Sequence, residues 1–468
     1  MRTKGTITLF TLGSMLSASA AVQAQTVPVR ELAAAEAKST ETFGLILGMR
    51  PLAGGKVLVN DGMRRRLVML DDKLSNPTVV IDSAAEGGNS YGPRPAPLIP
   101  YLADSSLFVD GTSLSLLVID PFGKVAHVMS APKPSDLRFL AGGTSGIDAK
   151  GNLVYRGAMV VQARPNQAQS GQAGMPQMAV QPPDSAPIIR ANFDTRSVDT
   201  VGRVKIQSGT RMNVTQGADG KMQMKATINP LMTVDDWAVL SDGSVAFVRG
   251  HDYHIDWIRP DGSKYASEKL PFDWKRLTDD DKQKLIDSAR TAIDKAAADA
   301  KAAAGTPGAA AAQKGAVEGM AAAMGGGGGM TVMMRVEGGA GGTRGADGPV
   351  FTAGGPGGMA MPTPTIEFVP LNEIADYYPA IRPGAAKADL DGNLWILPTT
   401  SAQAKQGELV YDVVNNKGEL FQRVRLPLAR SIAGFGKNGV VYLMHRDDAT
   451  KGWTLERTRI LNTARATN

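Results

Sequence analysis

The chain has 468 residues, of which 43% are hydrophobic, so it is long enough and apolar enough to bury one large core or several smaller ones. Its formal charge is +6 and is dispersed; the one tight basic cluster is Arg64–Arg66, so the sequence lacks the concentrated basic stripe of a nucleic-acid-binding protein. There is no cysteine, which excludes disulfides and a cysteine lipid anchor, and the 53 glycines and 28 prolines favour β structure with many turns.

A secretory signal peptide is predicted at the start of the chain. Arg2 and Lys4 supply its charged beginning, and Ile7–Ala20 is an apolar stretch too short to span a bilayer. Val22–Ala24 fits the small-x-small cleavage rule, so we expect the mature chain to begin near Gln25. No later run is long and apolar enough for a transmembrane helix. The sequence therefore predicts an exported protein, periplasmic or secreted, without a transmembrane segment.

One pattern recurs downstream of the signal peptide. A turn centred on Gly, Asp or Asn leads to a short apolar strand, and a second polar turn leads to another. Uninterrupted copies start about 45–50 residues apart, which is the spacing of β-propeller blades. Runs such as LVML, LLVI and LWIL are continuously apolar, as expected for strands covered on both faces, and each blade of a propeller packs between two neighbours. Six copies begin at Gly54, Asp104, Ala149, Ser241, Asp391 and Lys437.

These turn-and-strand pairs, above all ADLDGNLWI at Ala388–Ile396 and VLVNDGMRRRLVMLD at Val57–Asp71, resemble the six-bladed β-propellers of the NHL-like and TolB-like kind. The resemblance covers roughly 43–132, 231–274 and 377–460, and it implies an all-β fold of six four-stranded antiparallel blades. The superfamily includes lyases, lactonases and pure binding modules, so the resemblance does not choose a function. Its calcium-dependent members place Glu, Asn and Asp around the central channel, but no residue here can be matched to those positions one by one.

Two segments interrupt the repeat. Ala158–Pro187 is rich in Gln, Pro, Gly and Met and is predicted to be a flexible loop, because it can bury too little surface to fold alone. Lys275–Pro364 predicts a helix at Thr278–Ala304, followed by a low-complexity tract in which glycine dominates Gly325–Gly358. The helix has a thin, mostly alanine stripe, so we expect it to dock weakly. The predicted organisation is a signal peptide at 1–24, blades 1–4 at 25–274 with the loop at 158–187, the helical and Gly-rich insertion at 275–364, and blades 5–6 at 365–468.

Three further expectations concern the ring of blades. Val201–Asn229 is either an extended hairpin on the third blade or a hidden seventh blade, and six blades are favoured. The C-terminal strand Thr454–Ile460 should complete a blade with N-terminal chain from Val27–Gly48, so that no strand edge stays open. Five glycines that precede apolar strands should occupy equivalent turns, namely Gly55, Gly151, Gly243, Gly392 and Gly439.

The long connections are predicted to share one face. When the strands of a blade run outward as A, B, C and D, the A–B and C–D turns lie on one face, and the B–C turns and D-to-A links lie on the other. The Gln/Pro-rich loop, HDYH, the helical insertion, TTSAQAKQG and HRDDATKG are all B–C or D-to-A connections. We call the face that carries them the elaborated face. Long loops on a rigid scaffold are where binding function tends to be found.

HDYH, between two apolar runs, contains the ligand-binding candidates His251 and His254. A zinc site needs three or four converging ligands, and only His445, two blades further on, could join them. A hydrogen-bonded hairpin tip is therefore favoured over a metal site. DLDGN at Asp389–Asn393 resembles the start of a calcium loop but lacks its continuation, so a β-turn is expected. No cofactor is expected, and calcium or zinc is the alternative.

Arg156 and Arg249 each end a B strand before a glycine, in YRG and VRG, and so occupy matching positions in their blades. Two guanidinium groups at the rim of a channel could hold an anionic ligand bidentately. The favoured alternative is that each pairs with an aspartate of a neighbouring strand, such as Asp235 or Asp236. Asp236 is also a candidate for ligand binding.

Tyr377-Tyr378-Pro379 precedes the first strand of blade 5. Aromatic rings beside a channel mouth suit a flat or sugar-like ligand, which makes Tyr378 a further candidate, although packing against the next blade is favoured.

No catalytic residue emerges from the sequence. There is no Gly-x-Ser-x-Gly nucleophile elbow, and Thr144–Gly146 has no histidine that the pattern places beside it. The sequence favours non-catalytic binding of a small molecule or peptide on the elaborated face. A metal-dependent hydrolase or lyase at the central channel is the first alternative. A cell-envelope scaffold for protein partners is the second.

Overall fold

The structure is a computed structural model. The predicted signal peptide, the middle of the Gln/Pro-rich loop and most of the Gly-rich tract lie outside the residues it describes. Within those residues, no helix has the length and apolar character needed to cross a membrane. The described residues are 27–84, 90–93, 96–110, 113–140, 144–158, 160–165, 178–180, 183–206, 210–216, 222–303, 333–335 and 365–461.

Six four-stranded sheets form blades around a central axis, which confirms the predicted six-bladed β-propeller. Strands A of consecutive blades from blade 1 to blade 5 contact each other, and strand A of blade 6 contacts that of blade 1. This ring covers both faces of each blade, which is why strands B and C are continuously apolar. Separate clusters of buried side chains fill the interfaces between neighbouring blades.

The bounds of the elements follow. From the axis outward, strands A to D are Ile46–Pro51, Val57–Asp61, Arg66–Leu70 and Thr78–Asp82 in blade 1; Leu98–Pro100, Ser106–Asp110, Ser115–Ile119 and Val125–Ser130 in blade 2; Ser145–Ile147, Leu153–Arg156, Ser185–Ala191 and Val198–Lys205 in blade 3; Asp236–Val239, Val245–Arg249, His254–Ile258 and Lys264–Ala266 in blade 4; Ala386–Ala388, Leu394–Ile396, Val410–Val414 and Leu420–Arg425 in blade 5; and Ser431–Phe435, Val440–Arg446, Trp453–Arg459 and Ala37–Lys38 in blade 6. The α-helices described are Leu137–Leu140 and Asp279–Ala303.

The N-terminal chain closes the ring, as predicted. Ala37–Lys38 pairs antiparallel with Trp453–Arg459 and is the outermost strand of blade 6. A β-bridge between Phe43 and Trp453 extends this contact. Upstream, Val29–Glu31 adds a fifth, parallel strand to the outer edge of blade 5. The two last blades of the ring are therefore both held by the beginning of the chain.

The five glycines predicted in equivalent turns all lie between strands A and B of their blades, with φ between +69° and +84°. In this left-handed region a Cβ is costly, which explains the glycine before each of these B strands.

Two glycines of blade 4 provide a matched test of these turns. Gly243 and Gly262 have φ of +84° and +88°, but a Cβ on Gly243 would lie 2.6 Å from the backbone nitrogen of Ala149 in blade 3, whereas a Cβ on Gly262 would meet nothing within 4 Å. We expect Gly262→Ala to lower the free energy of unfolding by about 1–2 kcal/mol. Gly243→Ala should cost about 1–3 kcal/mol more, because the neighbouring turn must also move. Urea unfolding measures both, and equal losses would contradict the role assigned to this inter-blade contact.

The segment Val201–Asn229 forms no seventh blade: it begins within strand D of blade 3 and continues as a hairpin in a separate sheet. Strand D of blade 3 ends at Lys205, and Thr210–Gln216 then pairs with Met222–Ile228 in a separate sheet. The inner strands of blades 3 and 4 contact each other directly, so this sheet lies outside the ring. Its strand order is Met333–Arg335, Val160–Pro165, Met178–Val180, Thr210–Gln216, Met222–Ile228 and Thr365–Phe368.

The described parts of 158–187 differ from the predicted flexible loop. Val160–Pro165 and Met178–Val180 are strands of the separate sheet, and strand C of blade 3 already begins at Ser185. Composition did not indicate this because β-pairing satisfies backbone groups and does not depend on a large apolar content.

The long helix begins where the sequence predicts. The backbone N–H of Asp281 donates to Thr278 Oγ1 at 3.2 Å, and the backbone N–H of Thr278 donates to Asp281 Oδ2 at 3.1 Å. This reciprocal pair caps the first turn.

The helix docks through more than the predicted alanine stripe. Ile286, Ala289 and Ile293 are buried, and Lys282 Nζ lies 2.6 Å from Asp376 Oδ1. Burial of each isoleucine contributes about 1.5–3 kcal/mol, so the expectation that the helix docks weakly is wrong for this half of it. The buried residues that form the cluster with it are Leu231, Leu277, Ile286, Val369 and Ile374.

Candidate functional site

HDYH comprises the turn between strands B and C of blade 4 and the first residue of strand C, on the elaborated face. His251 is exposed. His254 lies between two carboxylates, with Nδ1 2.6 Å from Asp252 Oδ1 and Nε2 3.3 Å from Asp256 Oδ1. Across the described part of the chain, no three His, Cys, Asp or Glu residues are grouped so as to hold a metal. These contacts support the hairpin-tip interpretation.

Tyr253 is the member of this turn that sequence reasoning missed. Its left-handed φ of 53° is unusual for a bulky residue, and its side chain is fully buried between blades 4 and 5. The hydroxyl donates to Asp412 Oδ2 at 2.7 Å, and Asp412 Oδ1 accepts a hydrogen bond from Arg423 Nε at 2.7 Å. Burial raises the pKa of both Tyr253 and Asp412. The turn therefore anchors one blade to the next.

Arg249 ends strand B of blade 4, but its guanidinium group is already engaged. Nε donates to Asp256 Oδ2 at 2.7 Å, and Nη1 donates to Asp235 Oδ2 at 2.7 Å and to the carbonyl oxygen of Arg203 at 2.9 Å. Of the two aspartates considered from the sequence, Asp235 is its partner. The contacts favour the structural alternative over ligand binding for this residue.

Arg156 ends strand B of blade 3, the matching position, in a different environment. Its half-buried guanidinium group has no hydrogen bond or ion pair with any residue of the described ranges, and its electrostatic partner is Asp236. Burial lowers the pKa of Arg156, and the Asp236 carboxylate opposes this shift. Arg156 is therefore a cation held near a carboxylate without direct contact.

Asp236 begins strand A of blade 4 and is 7% exposed. Its Oδ2 accepts a hydrogen bond at 2.8 Å from the backbone N–H of Ala386 in strand A of blade 5, and the nearby amides of Trp237 and Gly384 also favour its charged form. Burial raises the pKa of Asp236 to about 6, although these amides and Lys387 lower it. The carboxylate thus joins the inner strands of two blades.

Lys387 is the second cation near Asp236, and sequence reasoning missed it. It is the one lysine in the six strands A, and its side chain is half-buried. Burial lowers the pKa of its ammonium group, and Asp236 opposes this shift. Among the residues that the structure describes, none forms a hydrogen bond or ion pair with this group. The sequence did offer one indication of this residue: a charged lysine between two alanines in the short inner strand AKA.

Arg156, Asp236 and Lys387 form what we call the channel-mouth cluster. Strand B ends and strand A begins at the elaborated face, so Arg156 and Asp236 lie at that end of the channel, and Lys387 is the second residue of its own inner strand. Two cations share one carboxylate, which leaves a surplus positive charge. In a partly buried setting such a surplus attracts an anion more strongly than it would in water.

Of the two tyrosines before blade 5, Tyr378 is packed against the core and Tyr377 lies at the surface. Tyr378 packs against the cluster beneath the long helix, and Lys275 Nζ lies 5.8 Å from its ring centroid, so its packing partner is this cluster and not the next blade. Tyr377 is the exposed member of the pair.

DLDGN forms a turn, as expected. Asp389 Oδ1 accepts the backbone N–H groups of Asp391 and Asn393 at 2.9 and 2.7 Å, and its Oδ2 accepts Trp395 Nε1 at 2.9 Å. Asp391 in turn accepts the amide of Gly439 at 2.8 Å. These carboxylates hold turns and strands together and are not directed at a common point for a metal.

Comparison with known proteins supports no assignment beyond the fold. No family model and no curated protein matches this chain. A catalytically inactive virginiamycin B lyase from Staphylococcus aureus with quinupristin matches at 9% identity and a TM-score of 0.34, covering 91% of this chain and 98% of that chain. A DUF4221 family member from Bacteroides vulgatus matches at 9% identity with a TM-score of 0.40, and the match covers 92% of this chain and 98% of that chain. A luciferin-regenerating enzyme matches at 9% identity with a TM-score of 0.33, and the match covers 90% of this chain and 94% of that chain. Such low values carry no functional argument.

Proposed function

We propose that this protein, after export, binds a small anionic molecule at the mouth of its central channel on the elaborated face, without transforming it chemically. The placement of the two cations carries the proposal: Arg156 ends a strand B and Lys387 lies in a strand A at this mouth of the channel, both interact electrostatically with Asp236, and neither forms a direct ion pair within the described residues. Asp236 already receives backbone amides, so its role in joining blades is satisfied without either cation.

The chemistry of the two cations suits a carboxylate or phosphate group. A guanidinium group offers paired donors in a planar fork, and an ammonium group adds a compact point charge. Hydrogen bonds to charged groups contribute about 1.5–3 kcal/mol each, so loss of either cation should weaken binding about ten- to hundredfold.

Calorimetric titration with inorganic phosphate and with succinate tests the proposal. We expect at least one of these anions to bind, and Arg156→Gln and Lys387→Gln each to weaken its affinity about ten- to hundredfold. Lys264→Gln, which removes an exposed lysine from the outer strand of blade 4, serves as the control and should leave the affinity unchanged. Failure of both anions to bind, or equal affinities in all three variants and the wild type, would contradict an anion site in the channel.

A further inference from the structure

A row of four aromatic rings runs from the interface of blades 4 and 5 to the surface of the elaborated face. The centroid of the buried Tyr253 ring lies 5.5 Å from that of Phe272, which lies 4.8 Å from Trp274. Trp274 and Tyr377 follow at 6.3 Å with their planes perpendicular. Trp274 is 43% exposed and Tyr377 is 45% exposed, so the row ends in a pair of accessible rings.

The backbone holds this outer pair in place. The N–H of Leu277 donates to the carbonyl of Asp376 at 2.8 Å, the N–H of Tyr378 donates to that of Lys275 at 3.1 Å, and Arg276 forms a β-bridge with Tyr377. From blade 5, the Thr400 hydroxyl donates to the carbonyl of Asp273. Two chain segments and a loop of the next blade therefore fix the backbone that carries the rings, and the edge-to-face contacts with each other and with Phe272 limit their side-chain freedom, which lowers the entropy cost of binding.

We infer that Trp274 and Tyr377 form a second binding site, separate from the channel-mouth cluster, that accepts the ring of a neutral carbohydrate. An exposed aromatic face can pack against the C–H face of a sugar ring, and the Trp274 indole N–H and the Tyr377 hydroxyl add polar groups on the rings themselves.

Charge and size both favour this ligand over others. Lys282 Nζ binds Asp376 Oδ1 at 2.6 Å, Arg276 is a further electrostatic partner of that carboxylate, and Lys275 lies over the Tyr378 ring, so these three cations already have partners and do not select an anion. The exposed surface of two half-exposed rings is also far smaller than the roughly 800 Å² that each partner buries in a stable protein interface. A proline-rich peptide is the remaining ligand that uses exposed aromatic rings in this way.

The test uses cellohexaose, maltohexaose and a decaproline peptide as probes, with binding measured by calorimetry. We expect at least one oligosaccharide to bind the wild-type protein and its affinity to fall about tenfold or more in Trp274→Ala and in Tyr377→Ala. Tyr265→Ala removes a ring that is 46% exposed on the outer strand of blade 4 and should leave the affinity unchanged. Unchanged urea midpoints would show that the variants still fold.

Three outcomes would overturn the inference: neither oligosaccharide binds, the Tyr265→Ala control loses as much affinity as the two variants, or decaproline binds while both sugars do not. The anion titration separates this site from the channel, because Trp274→Ala should leave phosphate or succinate affinity unchanged. The two proposals can therefore fail independently.

Discussion

Replacing Arg423 with alanine is expected to lower the free energy of unfolding by about 3–5 kcal/mol at neutral pH. Asp412 is 2% exposed, and its carboxylate is held between the Tyr253 hydroxyl and Arg423 Nε at 2.7 Å each. Burial raises the pKa of Asp412, and Arg423 counteracts this shift by stabilising the charged form. Without Arg423 the buried negative charge keeps one neutral partner, which is the costly way to break a buried ion pair.

Urea unfolding at two pH values distinguishes this explanation from a simple loss of packing. Because the pKa of Asp412 rises further without Arg423, the variant should regain stability as the pH falls and the carboxyl group becomes neutral. Combining Arg423→Ala with Asp412→Asn should recover most of the loss at neutral pH, since no buried charge remains. A loss below about 1 kcal/mol, or one independent of pH, would contradict the assigned role of this network.

Asp236→Asn is expected to remove a pH dependence of stability that the wild-type protein carries. Burial raises the pKa of Asp236 from 3.8 to about 6, so the folded protein binds this proton more tightly than the unfolded chain does. The stabilising contribution of protonation is complete below about pH 4 and is lost as the pH rises to about 6. The pKa difference between the folded and unfolded states corresponds to about 3 kcal/mol of stability. Asparagine does not titrate, so the Asp236→Asn variant should lack this pH dependence.

The measurement is the free energy of unfolding of both proteins from pH 4 to pH 7. The variant should gain about 3 kcal/mol relative to the wild type across this range, because other titrating groups contribute equally to both. Asparagine retains an oxygen that can accept the Ala386 N–H, so the contact between inner strands can persist. If the free energies of unfolding of the two proteins changed with pH in the same way, the Asp236 carboxylate would not be buried as described.

Local sequence was sufficient to predict the propeller because its signals are local and repeated. A glycine such as Gly243 is needed where φ is +84°, and a run such as LVML is needed where a strand is covered on both faces. The cap at Thr278 was likewise readable, since it depends on contacts within one turn of helix. Ring closure followed from the incomplete last blade and the need to cover its edge.

The side chains of the candidate sites depend on which strands and loops face each other, and only the tertiary structure decided this. Arg156 and Arg249 occupy the same position in their blades, yet Arg249 forms ion pairs with Asp235 and Asp256, whereas Arg156 interacts with Asp236 only electrostatically. Local pattern could not distinguish them, because each partner is set by how a blade packs on its neighbour.

The same reason explains the exchanges between adjacent residues. His254 and Tyr378 were chosen from the sequence, whereas the neighbouring Tyr253 is the anchor and the neighbouring Tyr377 is the exposed ring, because backbone direction within an irregular turn selects which neighbour points inward. Asp236 and Ala386 are 150 residues apart in sequence but share a hydrogen bond. The insertion at 275–364 separates them along the chain, and the pairing arises only when the inner strands of blades 4 and 5 pack side by side around the axis.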